Sequence, residues 1–191
     1  MKQLRISIVL ISCLLSVVIG LVLSRGDGGV SSGTAERERP LIGLSMDTLK
    51  EERWLGDRDM FINHAGSLGA DVKFTDANSD DVRQIKDIES LITQRVDAIV
   101  IIPHDGKACA RAVELAHQAG IPVLAYDRLI RDSDLDLYMT FDNERVGELQ
   151  AQFIANQFAR TPGKKRLVRI YGSKTDNNAF LFKAGQDRII E

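Results

Sequence analysis

Ala98-Ile99-Val100-Ile101-Ile102, stopped by Pro103, is an unbroken apolar run dominated by β-branched side chains. A strand with one wet face alternates apolar and polar positions. A run with no polar position suits a strand covered on both faces, as in a parallel sheet flanked by helices. On its N-terminal side, Asp80 or Asp81 caps a helix whose Val82, Ile85, Ile88 and Ile92 make one apolar face. Before that helix lie a short strand at 72–75 and a helix at 51–68. Glu51 and Glu52 stand in the first turn of the latter, where the dipole favours acids, and Gly69 stands at its C-cap. A first strand falls at 41–46. On the C-terminal side a helix at 107–119 closes at Gly120, and strands follow at 122–126 and 137–141. Next come a helix at 144–158, showing Val146, Leu149, Phe153 and Phe158 at helical spacing, a strand at 167–171 and a helix at 178–190. This alternation predicts an α/β fold built on a doubly wound parallel sheet.

The 191 residues, 44% of them hydrophobic, suffice for one packed domain and the start of another. A formal net charge of −2 gives no strong field for nucleic acid or acidic lipid. Cys13 and Cys109 are far apart and form neither a disulfide framework nor a metal-ligand pair. His64, His104 and His117 are scattered without ligand spacing, so neither a metal nor a cofactor is expected.

Lys2 and Arg5 precede an uncharged apolar stretch at 6–23, the pattern of an export segment. Its length, about 18 residues, lies between a cleavable signal core and a membrane span, so residues 1–24 are a signal peptide or a membrane anchor. Cys13 resembles a lipoprotein site only superficially, because apolar and small residues follow it where a polar tether belongs. Residues 25–40, rich in Gly, Ser, Glu and Arg, make a flexible linker.

In open α/β sheets ligands bind beyond the carboxyl ends of the strands. Asp47, then Arg53 and Trp54, follow the first strand; His104 and Asp105 follow the third; Asp127 and Arg128 follow the fourth. Gly172, Ser173, Asp176 and Asn178 follow the strand at 167–171. Asp and Asn accept from hydroxyls, Arg and Asn donate to them, and Trp offers a flat apolar face, an inventory fitting a neutral polyol. Each group also has a plainer role: Asp176, Asp142 and Asn143 suit helix N-caps, Asp127-Arg128 suits a turn ion pair, and Cys109 suits the core. Asp132-x-Asp134-x-Asp136 begins like a calcium loop, yet Leu137 stands where glycine belongs and Asn143 where glutamate belongs. Gly66-x-x-Gly69 ends a helix and is no dinucleotide fingerprint. With no P-loop or Ser-His-Asp order, the chain is expected to bind, not to catalyse.

Several stretches carry a resemblance: Ile42-Gly43-Leu44-Ser45-Met46-Asp47, Glu52-Arg53-Trp54 with Asp57-Arg58-Asp59, Ile101-Ile102-Pro103, and Val123-Leu124-Ala125-Tyr126-Asp127-Arg128. Phe141-Asp142-Asn143-Glu144, Val146-Gly147-Glu148-Leu149-Gln150-Ala151 and Asp176-Asn177-Asn178-Ala179 extend it. From about residue 41 to its end the chain resembles the periplasmic D-xylose-binding proteins of ABC sugar importers. The resemblance implies a hinged, two-lobed protein with a first sugar-binding lobe at 41–142 and an incomplete second lobe at 143–191. It implies that Trp54 stacks on the sugar, that Arg53, Asp127 and Arg128 are first-lobe contacts, and that Asp176 and Asn178 are second-lobe contacts. Tyr171 and the Lys164–Arg166 run depart from the pattern. The implied partners are a xylose-like monosaccharide and an ABC permease. An uncleaved anchor would instead favour a sugar sensor signalling to a kinase. A repressor effector domain would need a DNA-binding segment where the export segment stands. In either leading case the location is outside the cytoplasmic membrane.

Overall fold

A computed structural model describes residues 38–190. The chain divides into two units, Met1–Glu38 and Arg39–Glu191, and the described residues fall, Glu38 apart, in the second. The expected export segment at 1–24 and nearly all of the linker at 25–40 lie outside the described residues. The end of that linker is tied down: Arg39 donates to the carbonyls of Gly66, Gly69 and Ala70 and pairs with Asp71 at 3.3 Å.

Five strands, β1 (Leu41–Met46), β2 (Asp71–Asp76), β3 (Ala98–Ile102), β4 (Val123–Tyr126) and β5 (Leu137–Met139), form one sheet in the order β2-β1-β3-β4-β5. Every pairing is parallel. Helices α1 (Glu52–Ser67), α2 (Asp81–Thr93) and α3 (Ala110–Gln118) make the first three crossovers. The connection from β4 to β5 is a loop, pinned where Asp136 accepts the Val123 N–H at 2.7 Å. Asp80 caps α2, accepting from Arg83 N, and Gly69 and Gly120 take φ of +84° and +73° just beyond α1 and α3.

The β3 run behaves as a strand covered on both faces. Ile99 and Ile101 join Ile88, Leu91, Val113 and Val123 in a cluster beneath α2 and α3. Val100 and Ile102 join Leu44, Met46 and Trp54 beneath α1. The buried stripe of α2 differs from the expected one. It runs through Gln84, Ile88 and Leu91, while Val82 is 61% exposed. The physical reason is a polar anchor. Gln84 is fully buried, donates to the Ile102 carbonyl at 2.9 Å and accepts the His104 N–H at 2.9 Å, which turns the helix toward the end of β3.

Beyond β5, helices α4 (Asn143–Phe158) and α5 (Asn177–Ile190) pack on each other. Asp142 caps α4, accepting from Arg145 N. Two expectations fail here. Residues 167–171 form no strand, and Val168 and Ile170 are largely exposed, because no other strand among the described residues lies beside them and an unpaired backbone cannot make a ladder. Leu149, Phe153 and Phe158 face outward, and α4 buries Asn143, Gly147 and Ala151 instead. That stripe of small residues lets the two backbones touch. A Cβ on Gly147 would run into the Phe182 carbonyl, and one on Gly185 into the Glu144 carbonyl.

Candidate functional site

The strand order reverses between β1 and β3, the switch point at which two neighbouring loops leave the sheet in opposite directions and open a crevice. Asp47 leaves β1 there, His104 leaves β3 beyond Pro103, and Asp127-Arg128 leave β4 beside them. Asp47 is 4% exposed, and its two oxygens are used separately. Oδ1 pairs with His104 Nδ1 at 2.8 Å and Oδ2 accepts from Arg128 Nη1 at 2.6 Å. Arg128 Nη1 also donates to the Pro103 carbonyl at 3.2 Å, and its Nε lies 3.4 Å from Asp176 Oδ2, at ion-pair range but without hydrogen-bond geometry.

Asp127 points the other way. Its carboxylate accepts from Arg53 Nη2 at 2.5 Å, and its backbone takes a φ of +65°, in the left-handed region that costs most residues energy. That turn sends the side chains of Asp127 and Arg128 to different partners although they are adjacent in sequence. Arg53 lies in the first turn of α1, with its guanidinium 4.4 Å from the Trp54 ring centre and Nε 3.4 Å from Asp57; the Arg128 guanidinium is 5.5 Å from the same ring. Burial pulls the Arg53 pKa down, but Asp127 and Asp57 more than offset it and leave it raised. Trp54 itself is only 5% exposed, seated on Leu44, Met46, Val100 and Ile102.

From the second segment, Asn178 donates to the Asp127 carbonyl at 3.1 Å, and Asp176 accepts from Asn178 N at 2.9 Å. Asp176 therefore performs the helix-start role and faces Arg128 as well. All six residues singled out from the sequence, Arg53, Trp54, Asp127, Arg128, Asp176 and Asn178, meet at one rim. The structure also brings in Asp47 and His104, with Thr140, Asn143 and Gln84 behind the rim and bonded to its backbone or side chains. Asp47 and His104 carried a signal, since each follows a strand. Gln84, on a helix face, carried none.

The rim is chemically a lattice of alternating charge. Arg53 and Arg128 stand between Asp57, Asp127, Asp47 and Asp176, so each guanidinium has carboxylates at hand. Such a site offers donors and acceptors without a surplus positive field, and it favours a neutral, hydroxyl-rich ligand over an anion. A neighbouring cavity of about 290 Å³ under α1 is lined largely by Leu44, Met46, Phe61, Ile102 and Tyr126 and is too apolar for that role. Burial, then Asp57, raises the Tyr126 hydroxyl above its ordinary value. Burial pushes the Cys109 thiol up to about 12, so it remains a neutral core group. Among the described residues no three His, Cys, Asp or Glu side chains are grouped to hold a metal ion, and no helix is long and apolar enough to cross a membrane.

The D-xylose-binding periplasmic protein of Haemophilus influenzae is 47% identical over 162 residues, 85% of this chain and 48% of the relative. That of Escherichia coli is 46% identical over 150 residues, 78% of this chain and 44% of the relative. A solved carbohydrate transporter solute binding protein from Chloroflexus aurantiacus, in complex with D-glucose, superposes with a TM-score of 0.71 at 34% identity, covering 78% of this chain and 44% of that one. An ABC transporter solute binding protein from Clostridium phytofermentans with bound β-D-glucose gives 0.74 at 31% identity, covering 78% and 47%. The chain thus spans about half the length of the curated relatives it matches. The model of the periplasmic binding protein domain matches residues 42–191, and the chain belongs to that family.

Proposed function

We propose that this chain binds a monosaccharide, D-xylose foremost, outside the cytoplasmic membrane, as the front part of a protein that delivers the sugar to an ABC transporter. The observation that carries this reading is the charge-paired rim beside Trp54 at the sheet's switch point. Its residues come from the ends of β1, β3 and β4, from the start of α1 and from the start of α5. The two D-xylose-binding relatives supply the choice of sugar.

Sugar hydroxyls donate to the carboxylates of Asp127 and Asp176 and accept from Arg53 and Arg128, replacing contacts that these side chains make with one another. The Arg53 guanidinium rests on Trp54. A pyranose stacking on that ring takes its place, and Arg53 turns to a hydroxyl. A ligand lacking the matching hydroxyl leaves a desolvated carboxylate unpaired, which costs about 1–3 kcal/mol and selects against it. Residues 41–142 act as the first lobe, and residues from 143 onward begin a second that brings Asp176 and Asn178 to the sugar. The protein is a binder and not an enzyme. A sensor kinase partner and an N-terminal anchor depend on residues 1–24, outside the described residues.

Trp54 is the sequence's sole tryptophan, so its emission reports on the rim directly. Titration with D-xylose, D-ribose and D-glucose, followed by emission and calorimetry, is expected to give a saturable response strongest for D-xylose. Asp127→Asn should abolish it. No saturable response to any of the three sugars would sink the proposal.

A further inference from the structure

Thr140, at the exit of β5, donates from Oγ1 to the Asp127 carbonyl at 2.8 Å. The same Oγ1 accepts from Asn143 Nδ2 at 3.0 Å. Asn143 Nδ2 also donates to Asn178 Oδ1 at 3.0 Å, and Asn178 Nδ2 returns to the Asp127 carbonyl at 3.1 Å. The four residues close a ring of hydrogen bonds. Asn143, Asn178 and Asp127 are 4%, 5% and 7% exposed, so water competes little for the two bonds that Asn178 makes, while Thr140 is exposed and its two bonds are part-buried. Asp127 is also held from its other side, where its N–H donates to the Met139 carbonyl at 2.8 Å. Residues 140–143 carry the chain from the sheet into α4, so the ring sits where the two segments join.

We propose that Thr140 and Asn143 are positioning residues of the sugar site. Neither offers a group to the rim. Through the ring they hold Asp127 in its left-handed backbone state, which aims its carboxylate at Arg53, and they tie the start of α5 to the first lobe. The inference rests on the sugar-binding reading for its effect on affinity, but its effect on the rim is independent of any ligand. A left-handed aspartate is a conformation that persists only when its surroundings over-determine it. Removing the Thr140 hydroxyl takes one of the donors from the Asp127 carbonyl and leaves Asn143 one acceptor short. The strained residue then relaxes, the carboxylate swings from Arg53, and the guanidinium shifts on Trp54.

The test compares Thr140→Val, which deletes the hydroxyl at nearly constant shape, with Thr140→Ser, which restores it. Asp142→Ala is the control: it removes the α4 cap at the same junction but takes no part in the ring. Three quantities are read in the 191-residue chain: the unfolding midpoint, Trp54 emission without sugar, and D-xylose affinity. Thr140→Val is expected to shift Trp54 emission and weaken D-xylose binding by up to about tenfold, the effect of losing one part-buried hydrogen bond. Thr140→Ser should retain both properties. Asp142→Ala should lower the midpoint while leaving emission and affinity as they were. A Thr140→Val protein that behaves like Asp142→Ala overturns the proposal, as does a Thr140→Ser protein that fails to restore the emission. If the unaltered chain binds no D-xylose, the functional reading falls, and the emission arm alone decides the positioning role. Should Thr140→Val not fold, Thr140→Ala is judged by the same readings.

Discussion

Residues 41–139 and the helix pair α4–α5 share the same alternation of apolar runs and helical stripes in the sequence, yet they solve burial differently. In the first region the apolar runs of the central strands β3 and β4 go largely inside. Ile99, Ile101 and Val123 are at most 1% exposed, on a sheet whose strands are paired in register. In the second, Leu149 and Phe153 of α4 are turned outward, as are Val168 and Ile170 of the segment joining the helices, and the buried positions are Asn143, Gly147, Ala151, Asn178 and Gly185. The helix pair is held by backbone against backbone at the two glycines. Around the glycines, Arg188 pairs with Glu144 and Glu148, and Asp187 with Lys183 and Arg169. Ion pairs at or near the surface contribute little each, so close contact carries the association. A run of apolar residues states what is available for burial; whether burial happens depends on a partner surface.

The largest expected effect tests that contrast directly. Gly185→Val drives a branched side chain into the Glu144 carbonyl, and overpacking of this kind costs about 3 kcal/mol. Amides of 143–158 and 177–190 should lose protection from hydrogen exchange while those of α2, α3 and the sheet keep theirs. Equal loss across both regions would mean that they form one cooperative unit. Next comes the polar anchor of the first region. Gln84→Leu leaves the Ile102 carbonyl and the His104 N–H without their partner, at a cost of about 2 kcal/mol. Urea unfolding should show a lowered midpoint with the slope unchanged. An unchanged midpoint would mean that the apolar packing of Ile88 and Leu91 fixes α2 without it.

The sheet and its helices were legible because strands such as β3 announce their environment in one short window, and because caps at Asp80, Gly69 and Asp142 act locally. The convergence of Arg53, Asp127 and Arg128 was legible from a topological rule: residues just past the strand ends of a doubly wound sheet share a rim. Asn178, by contrast, was tied to a strand at 167–171 that does not form, and it reaches the rim from the start of α5. Three things were hidden. Gln84 looks like any exposed helix residue until its partners at the end of β3 are in place. The outward stripe of α4 has sound helical periodicity, and nothing in spacing says that glycine and asparagine will take the buried face. The ring of Asp127, Thr140, Asn143 and Asn178 depends on four hydrogen bonds between residues whose individual roles, as turn or cap formers, look ordinary.

The smallest expected effect concerns acid. The Val123 N–H, then His117, lower the Asp136 pKa below its ordinary value. A carboxylate whose pKa is depressed on folding stabilises the fold above its unfolded pKa of about 3.9, and that stability is lost as pH falls through the folded value. With a half-exposed side chain the contribution is screened to below about 1 kcal/mol. Asp136→Asn should therefore unfold slightly earlier than the parent at pH 7, and the gap should close as the pH falls through the lowered value and the parent's carboxyl takes its proton. In the helix pair, Lys183 and then Arg169 lower Asp187, and Arg145 and then Arg188 lower Glu148, with both carboxylates partly covered at the protein surface. Acid should loosen α4–α5 before it unfolds the sheet, because the sheet's stability is chiefly apolar and the Asp136 contribution to it is small. Hydrogen exchange followed from pH 6 to pH 3 checks this order. Simultaneous loss in both regions would place titrating groups at the heart of the first region, where the structure puts isoleucine and valine.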